Sequence, residues 1–405
     1  MPWAVTDVMD QRIRFVLEAT QPGAKLSQVC RRFGISRPTA YLWLKRFKKD
    51  GFPGLTDRSR KPHRSPNRTP PEIEQRVLDC HDALGEGAKK IVYYLWENER
   101  ITLPAITAHR ILKRHGKVNS PRQGAPATKR FERSEPNALW QMDFKGAFTK
   151  YGKPCYPLSI LDDHSRYLVG LYALTSPNGE LTYVAILKTF SIFGLPDAIL
   201  MDHGTPWWSN TNGYGLTWLS VALIKQGIRL CWSGISHPQT QGKVERFHRS
   251  LKAAIRHKGG VSRWDQWQET FDEYRIHYNE KRPHEALEMK PPASRYAPSS
   301  RSYQPNPPEW EYPEGATVRR LSVHGCLSWN NRYYFICEAM AHEWVAIWER
   351  DGKLLVQFRN LYVREIDLRT NVTKPIVEPI SASNSNEKGA TGKKGKCKGC
   401  HDNDL

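Results

Sequence analysis

No segment of this 405-residue chain approaches the roughly 18 consecutive apolar residues that a helix needs to cross a bilayer. No membrane partner is therefore expected. Residues 1–11 carry Asp7 and Asp10 and lack the charged-then-apolar order of an export signal. A cytoplasmic, nucleoid-associated protein is the expectation. Cysteine is sparse too: eight residues, scattered singly apart from Cys397 and Cys400. That scatter fits a reducing compartment better than a disulfide framework. Acidic residues are also short, 41 against 61 Lys and Arg, for a net charge of +20. The deficit is uneven. Residues 1–134 hold 27 basic and 13 acidic side chains, a net of +14, and the remainder has a net of only +6. The front third is thus the expected electrostatic footprint for a polyanion such as double-stranded DNA.

What is present reads as several domains, because 405 residues exceed one ordinary core. Over 1–57 the pattern is helical. Leu26, Val29, Cys30 and Phe33 share one face, Gly34 breaks the helix, and Ser36 is a good N-cap with Pro38 in the following first turn. The next helix should bury Ala40, Trp43, Leu44 and Phe47. It would present Arg37, Thr39, Tyr41, Lys45 and Arg46, the outward face of a helix-turn-helix lying in a major groove. A solvated charged face on a plain bundle is the alternative. Residues 58–71 are basic and proline-rich, a linker that either tracks phosphates or is simply solvated. A second helical unit, 72–120, is also expected to bind DNA. Its segment 107–114 resembles another recognition helix, with Ile106, Ile111 and Leu112 inward and His109, Arg110, Lys113 and Arg114 outward, Arg110 and Lys113 being its candidate DNA contacts. A second basic linker is expected over 121–138.

From residue 139 the period changes to two. Short β-type runs at 139–144, 156–161 and 167–174 precede strand–helix alternation, which predicts an α/β core with a mixed sheet over 139–298. A helix over 264–287 should be stopped by Pro291 and Pro292. Residues 310–372 suggest a small β-rich, barrel-like domain. Residues 373–405 suggest a disordered basic tail. In that tail, Cys397, Cys400 and His401 have the spacing of a c-type haem attachment, but without an export signal no haem is expected.

Three acids stand out. Alternation in 139–144 puts Gln141 and Asp143 on the face opposite Trp140, Met142 and Phe144. A lone carboxylate in a sheet costs kilocalories unless it is paired or bound to metal. Asp202 ends a short strand, where open α/β sheets hold ligands. Glu245 opens a helix whose apolar stripe is Val244, Phe247, Leu251, Ala254 and Ile255. It shares a separate face with Arg249, Lys252 and Arg256. Singly, each acid has a simpler explanation: an acceptor of backbone N–H groups, a turn residue, or an i,i+4 ion pair with Arg249. Together, in a basic chain, they suggest divalent cations held against a phosphate backbone.

The series Trp140-x-x-Asp143, Asp202-x-Gly204 and Gln239-x-Gln241-Gly242-Lys243-x-Glu245-Arg246-x-His248-Arg249-x-Leu251-Lys252 resembles the catalytic core of bacterial insertion-sequence transposases. These belong to the DDE superfamily with retroviral integrases. Tyr278-Asn279-x-x-Arg282-Pro283-His284 and Pro291-Pro292 resemble the segment that follows that core, and the likeness covers roughly residues 20–300. Forty-two residues lie between Asp202 and Glu245, more than in many relatives, and His203 stands where such proteins often have Asn. The resemblance implies a ribonuclease H-like core with Asp143, Asp202 and Glu245 as its triad. It also implies Mg²⁺ as cofactor, with Mn²⁺ able to substitute, and no nucleotide cofactor. The reaction would be DNA hydrolysis followed by strand transfer, on terminal repeats and target DNA, by a homo-multimer. Arg249 and Lys252 would position phosphates, and Gln239, Gln241 and Lys243 would contact DNA ends.

Overall fold

The computed structural model describes residues 7–58, 68–118, 132–149, 153–209, 215–232 and 242–376. The chain divides into two units, at Pro70 and Pro71. In the first, helices α1 (Val8–Ala19), α2 (Leu26–Arg32) and α3 (Arg37–Asp50) enclose Phe15, Val16, Val29, Cys30, Ala40 and Leu55. Gly34 takes a positive φ of 63°, which suits glycine. The Ser36 hydroxyl then accepts the Thr39 N–H at 3.3 Å, capping α3. Both features are as expected from sequence. Trp43, Leu44 and Phe47 pack only partly against the core, and Arg12 stacks on Trp43 at 4.1 Å.

The second unit opens with three helices, α4 (Pro71–Leu84), α5 (Ala88–Glu99) and α6 (Ala105–Arg114), closed around Val77, Ile91, Leu95, Ala108, Ile111 and Leu112. Ile106, expected inside, is 58% exposed, and Ala108 takes the inward position. The helix starts at Ala105, right after Pro104, which fixes this rotation. Polar contacts fasten these helices to the segments around residues 257 and 282. Glu86 pairs with Arg282 at 2.5 Å, and His257 meets the Asp82 carbonyl at 2.8 Å.

The central sheet has the order β3-β2-β1-β4-β5, from β1 (Trp140–Phe144), β2 (Tyr156–Asp162), β3 (Leu168–Leu174), β4 (Ala198–Met201) and β5 (Arg229–Trp232). β1, β2 and β3 pair antiparallel, whereas β1, β4 and β5 pair parallel, so the sheet is mixed. One face packs on α7 (Gly179–Phe193) and α8 (Trp218–Lys225) through Trp140, Met142, Ile160, Ile186 and Leu219. The other packs on α9 (Gly242–His257) and α10 (Gln266–Ile276) through Leu161, Leu168, Phe247, Leu251 and Phe271. Helix α10 ends sooner than its sequence suggested. A wider π turn, His277–Lys281, comes after it, and Arg282 becomes extended because Pro283 disfavours helix in the residue before it. The stop is therefore Pro283, not Pro291 and Pro292. Nor is 132–138 a free linker: Glu132 pairs with Arg166 at 2.9 Å, and the Asn137 N–H donates to Asp162 at 2.7 Å.

The C-terminal part corrects two expectations. Its main sheet runs β12-β11-β10-β9-β6, made of β6 (Thr317–Arg320), β9 (Trp344–Arg350), β10 (Lys353–Phe358), β11 (Leu361–Asp367) and β12 (Thr373–Pro375), with a hairpin of β7 (Cys326–Trp329) and β8 (Arg332–Phe335) beside it. Among the described residues the sheet is open, with β12 and β6 as unjoined edges, so closure into a barrel is not seen. The stretch read as tail from 373 begins as a strand paired with β11. Cys397, Cys400 and His401 lie outside the described residues. One inner face of this sheet, with Val345, Ile347, Leu354 and Val356, continues the apolar core of α7 and α8.

Candidate active site

β1 places Asp143 directly across from Ser159 of β2, on the face that α9 covers. β4 runs parallel beside β1 and delivers Asp202 just past its last residue, Met201. α9 carries Glu245 in its first turn, exposed. The expected alternation in β1 holds, except that Gln141 is completely buried. The reason is a clamp at the start of α9. Gln141 donates to Asp163 at 2.8 Å and accepts the Val244 N–H at 3.4 Å, and Lys243 pairs with Asp163 at 2.5 Å. Burial outweighs that pairing and lowers Lys243 to about 8.

Asp143 feels burial and the other two acids. Burial raises the Asp143 carboxyl to about 7. Asp202 adds to the rise, the Phe144 N–H opposes it, and Glu245 raises it further. Among the described residues, no three His, Cys, Asp or Glu side chains are gathered tightly enough to hold one metal ion. Asp202 is anchored: its Oδ1 accepts from the Gly204 N–H at 3.0 Å and from the Trp207 indole N–H at 2.7 Å. The oxygen donors of Asp143 and Asp202, with Asp143 pushed toward neutrality by burial first and Asp202 second, are of the hard kind that suits a divalent cation.

His248 was not singled out from sequence, yet it contacts this centre. Its Nδ1 faces Asp143 at 3.6 Å, and its Nε2 meets the Ser159 hydroxyl at 3.0 Å. Burial, helped by Lys145, lowers it to about 3, so it is neutral and makes no ion pair at pH 7. The available signal was position, since 244, 247, 248, 251 and 255 are the buried stripe of α9. Trp207 was missed as well. The segment 205–217 reads as a loop, but Trp207 is 1% exposed and stacks on Phe144, with centroids 5.3 Å apart and planes 19° apart.

The candidate DNA contacts scatter. Arg249, Lys252 and Arg256 are exposed along α9, on the same side as Glu245. Lys243 is spent on Asp163, and Gln239 and Gln241 lie outside the described residues. In α3, Arg37, Tyr41 and Lys45 are exposed, Thr39 bonds the Ser36 hydroxyl, and Arg46 lies over Trp43. Arg110 and Lys113 are exposed on α6, while Arg114 pairs with Glu74.

Family models match both the helical front and the mixed-sheet core. Residues 133–238 and 226–292 match integrase core domain families, and residues 6–56 and 39–112 match homeodomain-like domain families. The chain is 24% identical over 258 residues to the transposase for transposon Tn552 of Staphylococcus aureus, covering 56% of this chain and 52% of that one. It is 35% identical over 124 residues to the Gag-Pro-Pol polyprotein of Mason-Pfizer monkey virus, 30% of this chain and 6% of the polyprotein. The chain thus spans about half the transposase it resembles and far less of the polyprotein. Among solved structures, a simian T-cell lymphotropic virus intasome chain aligns with a TM-score of 0.36 and 15% identity, over 75% of this chain and 99% of that one. No helix among the described residues is long and apolar enough to cross a membrane.

Proposed function

Starting from a chain that belongs to the DDE transposase and integrase family, we propose that it is a metal-dependent DNA transposase. It would recognise element ends through its helical domains and cut and join DNA at Asp143, Asp202 and Glu245. The observation that carries this reading is geometric: the parallel neighbours β1 and β4 bring Asp143 and Asp202 to the same end of the sheet, and the first turn of α9, packed on that sheet, carries Glu245. A fold tolerates such a cluster when a cation or a proton relieves it.

Asp143 and Asp202 would hold Mg²⁺ or Mn²⁺, with Glu245 reaching in from the exposed first turn of α9. When bound, such ions activate an attacking oxygen and stabilise a departing one at a phosphodiester. The protein's own groups do the rest. Neutral His248 and Ser159 support the Asp143 side of the site without adding charge. Arg249 and Lys252, on the Glu245 side of α9, hold phosphates in register. Hydrolysis frees a 3′-hydroxyl at the element end, and attack by that hydroxyl on target DNA exchanges one phosphodiester for another. No nucleotide cofactor is required. Assembly of several copies on paired ends belongs to the same proposal.

The test is a strand-transfer assay using DNA repeats that flank the reading frame. Divalent cation should be required, and joined product should fall about a thousandfold in Asp143→Asn and in Glu245→Gln, in line with the several kcal/mol that metal ions supply. Joining that survives either substitution refutes the mechanism. Binding without cleavage would identify a DNA-binding regulator on the same fold. Cleavage without joining would identify a nuclease.

A further inference from the structure

We infer that Trp207 is a positioning residue for the cation site: its indole N–H fixes the Asp202 carboxylate so that one oxygen, Oδ2, is presented for ligation. The inference rests on the metal-dependent reading above and adds a residue to it.

Four observations combine. The Trp207 N–H donates to Asp202 Oδ1 at 2.7 Å, and the Gly204 N–H donates to the same oxygen at 3.0 Å. With both donors on Oδ1, Oδ2 keeps its lone pairs free of hydrogen bonds among the described residues. Trp207 is itself immobilised. It is 1% exposed, and its carbonyl accepts the Ser220 hydroxyl of α8. Its ring lies parallel to Phe144, at a centroid distance of 5.3 Å. Phe144 is the neighbour of Asp143 in β1. One side chain therefore touches the backbone neighbour of one acid and the carboxylate of the other, setting their separation across β1 and β4.

The arrangement is not explained by packing alone. A phenylalanine at 207 would keep an aromatic ring for the stack while losing the indole N–H and part of the indole's volume. It would leave Asp202 with one donor and freedom to rotate about its Cβ–Cγ bond. Groups that hydrogen-bond a metal ligand and fix its orientation usually cost about 10- to 100-fold in metal affinity when removed. Gly204 offers an independent handle on the same carboxylate. A Cβ there would meet Asp202 Oδ1 at 3.0 Å and Oδ2 at 3.1 Å, so an alanine must displace it.

The experiment uses the full chain without DNA. Thermal unfolding is followed while Mn²⁺, and separately Mg²⁺, is titrated into wild type, Trp207→Phe, Gly204→Ala and Asp202→Asn. Wild type should gain stability with cation, and Asp202→Asn should not. In Trp207→Phe the half-effective cation concentration should rise about tenfold or more, in addition to the loss of melting temperature that the smaller ring causes without cation. A purely packing role would instead lower the melting temperature equally at every cation concentration. If Trp207→Phe does not fold, Gly204→Ala carries the same expectation. Superimposable titrations for wild type and the folded variant overturn the inference while leaving the metal-dependent reading intact. If wild type shows no cation effect, that reading fails, and this inference fails with it.

Discussion

Two pairs of aspartates sit in the same sheet and differ in one respect. Asp162 and Asp163, at the end of β2, are completely buried and fully partnered. Asp162 accepts from the Asn137 N–H at 2.7 Å and from the Ser165 N–H and hydroxyl at 2.8 and 2.5 Å. Asp163 accepts from the Arg133 N–H and from Gln141, both at 2.8 Å, and pairs with Lys243. Asp143 and Asp202 have no cation at comparable distance among the described residues, and they lie close enough to repel. Burial raises the carboxyls of both Asp162 and Asp143. At Asp162 the next influences are hydrogen-bond donors that pull it back, whereas at Asp143 the next is Asp202, which raises it further. Identical residue types in one sheet thus serve structure where the protein completes their partners, and chemistry where it leaves them unmet.

That contrast can be broken experimentally. Asp143→Asn should abolish DNA joining while leaving stability without cation unchanged or higher, because it removes a repelled charge. A joining assay paired with calorimetry reads both. Asp163→Ala should strip about 3–5 kcal/mol from stability, because Lys243, Gln141 and the Arg133 N–H all lose the buried carboxylate they share; urea unfolding measures it. A smaller effect is expected with pH. The Asp143 carboxyl is near 7 when folded and about 3.9 when unfolded. Between those values the native state binds the extra proton, so stability without cation should fall as pH rises from about 4 to about 7. It should then level off. Saturating Mg²⁺ or the Asp143→Asn change should flatten that slope, and chemical denaturation across pH would show it. Smallest of all, Arg249→Ala should weaken DNA binding equally across sequences and reduce its salt dependence by about one unit of slope. Fluorescence anisotropy at several salt concentrations decides this.

Much of the fold and site is legible in the chain itself. The short β-type runs at 139–144, 156–161 and 167–174 locate β1 to β3 within a residue or two, and the Ser36 cap and Gly34 break locate α2 and α3. The exposed Glu245, Arg249, Lys252 and Arg256 face of α9 follows from spacing. The errors have physical causes. The hydropathy of Ile106 points it inward, but the start of α6 after Pro104 turns it outward. The apolar pattern of α10 continues through Tyr278 and beyond, whereas the backbone before Pro283 cannot remain helical. A run of strands suggests a barrel, yet strand count alone does not close a sheet. The described residues of 205–217 do form a loop, as its Trp, Asn and Gly content suggests; what the pattern misses is that Trp207 packs beneath the site.

By itself the sequence determined the alternation that turns Asp143 away from Trp140, the helical stripe that seats α9, the charge imbalance, and the three acidic motifs. Only the tertiary structure decided which acids are satisfied. Asp163 is matched by Gln141 and Lys243, and Asp202 is held by an indole, through contacts between segments with no local relation in the chain. Local pattern encodes which side of an element a residue faces. A carboxylate's charge state and freedom depend on the donors that distant segments bring within hydrogen-bond reach.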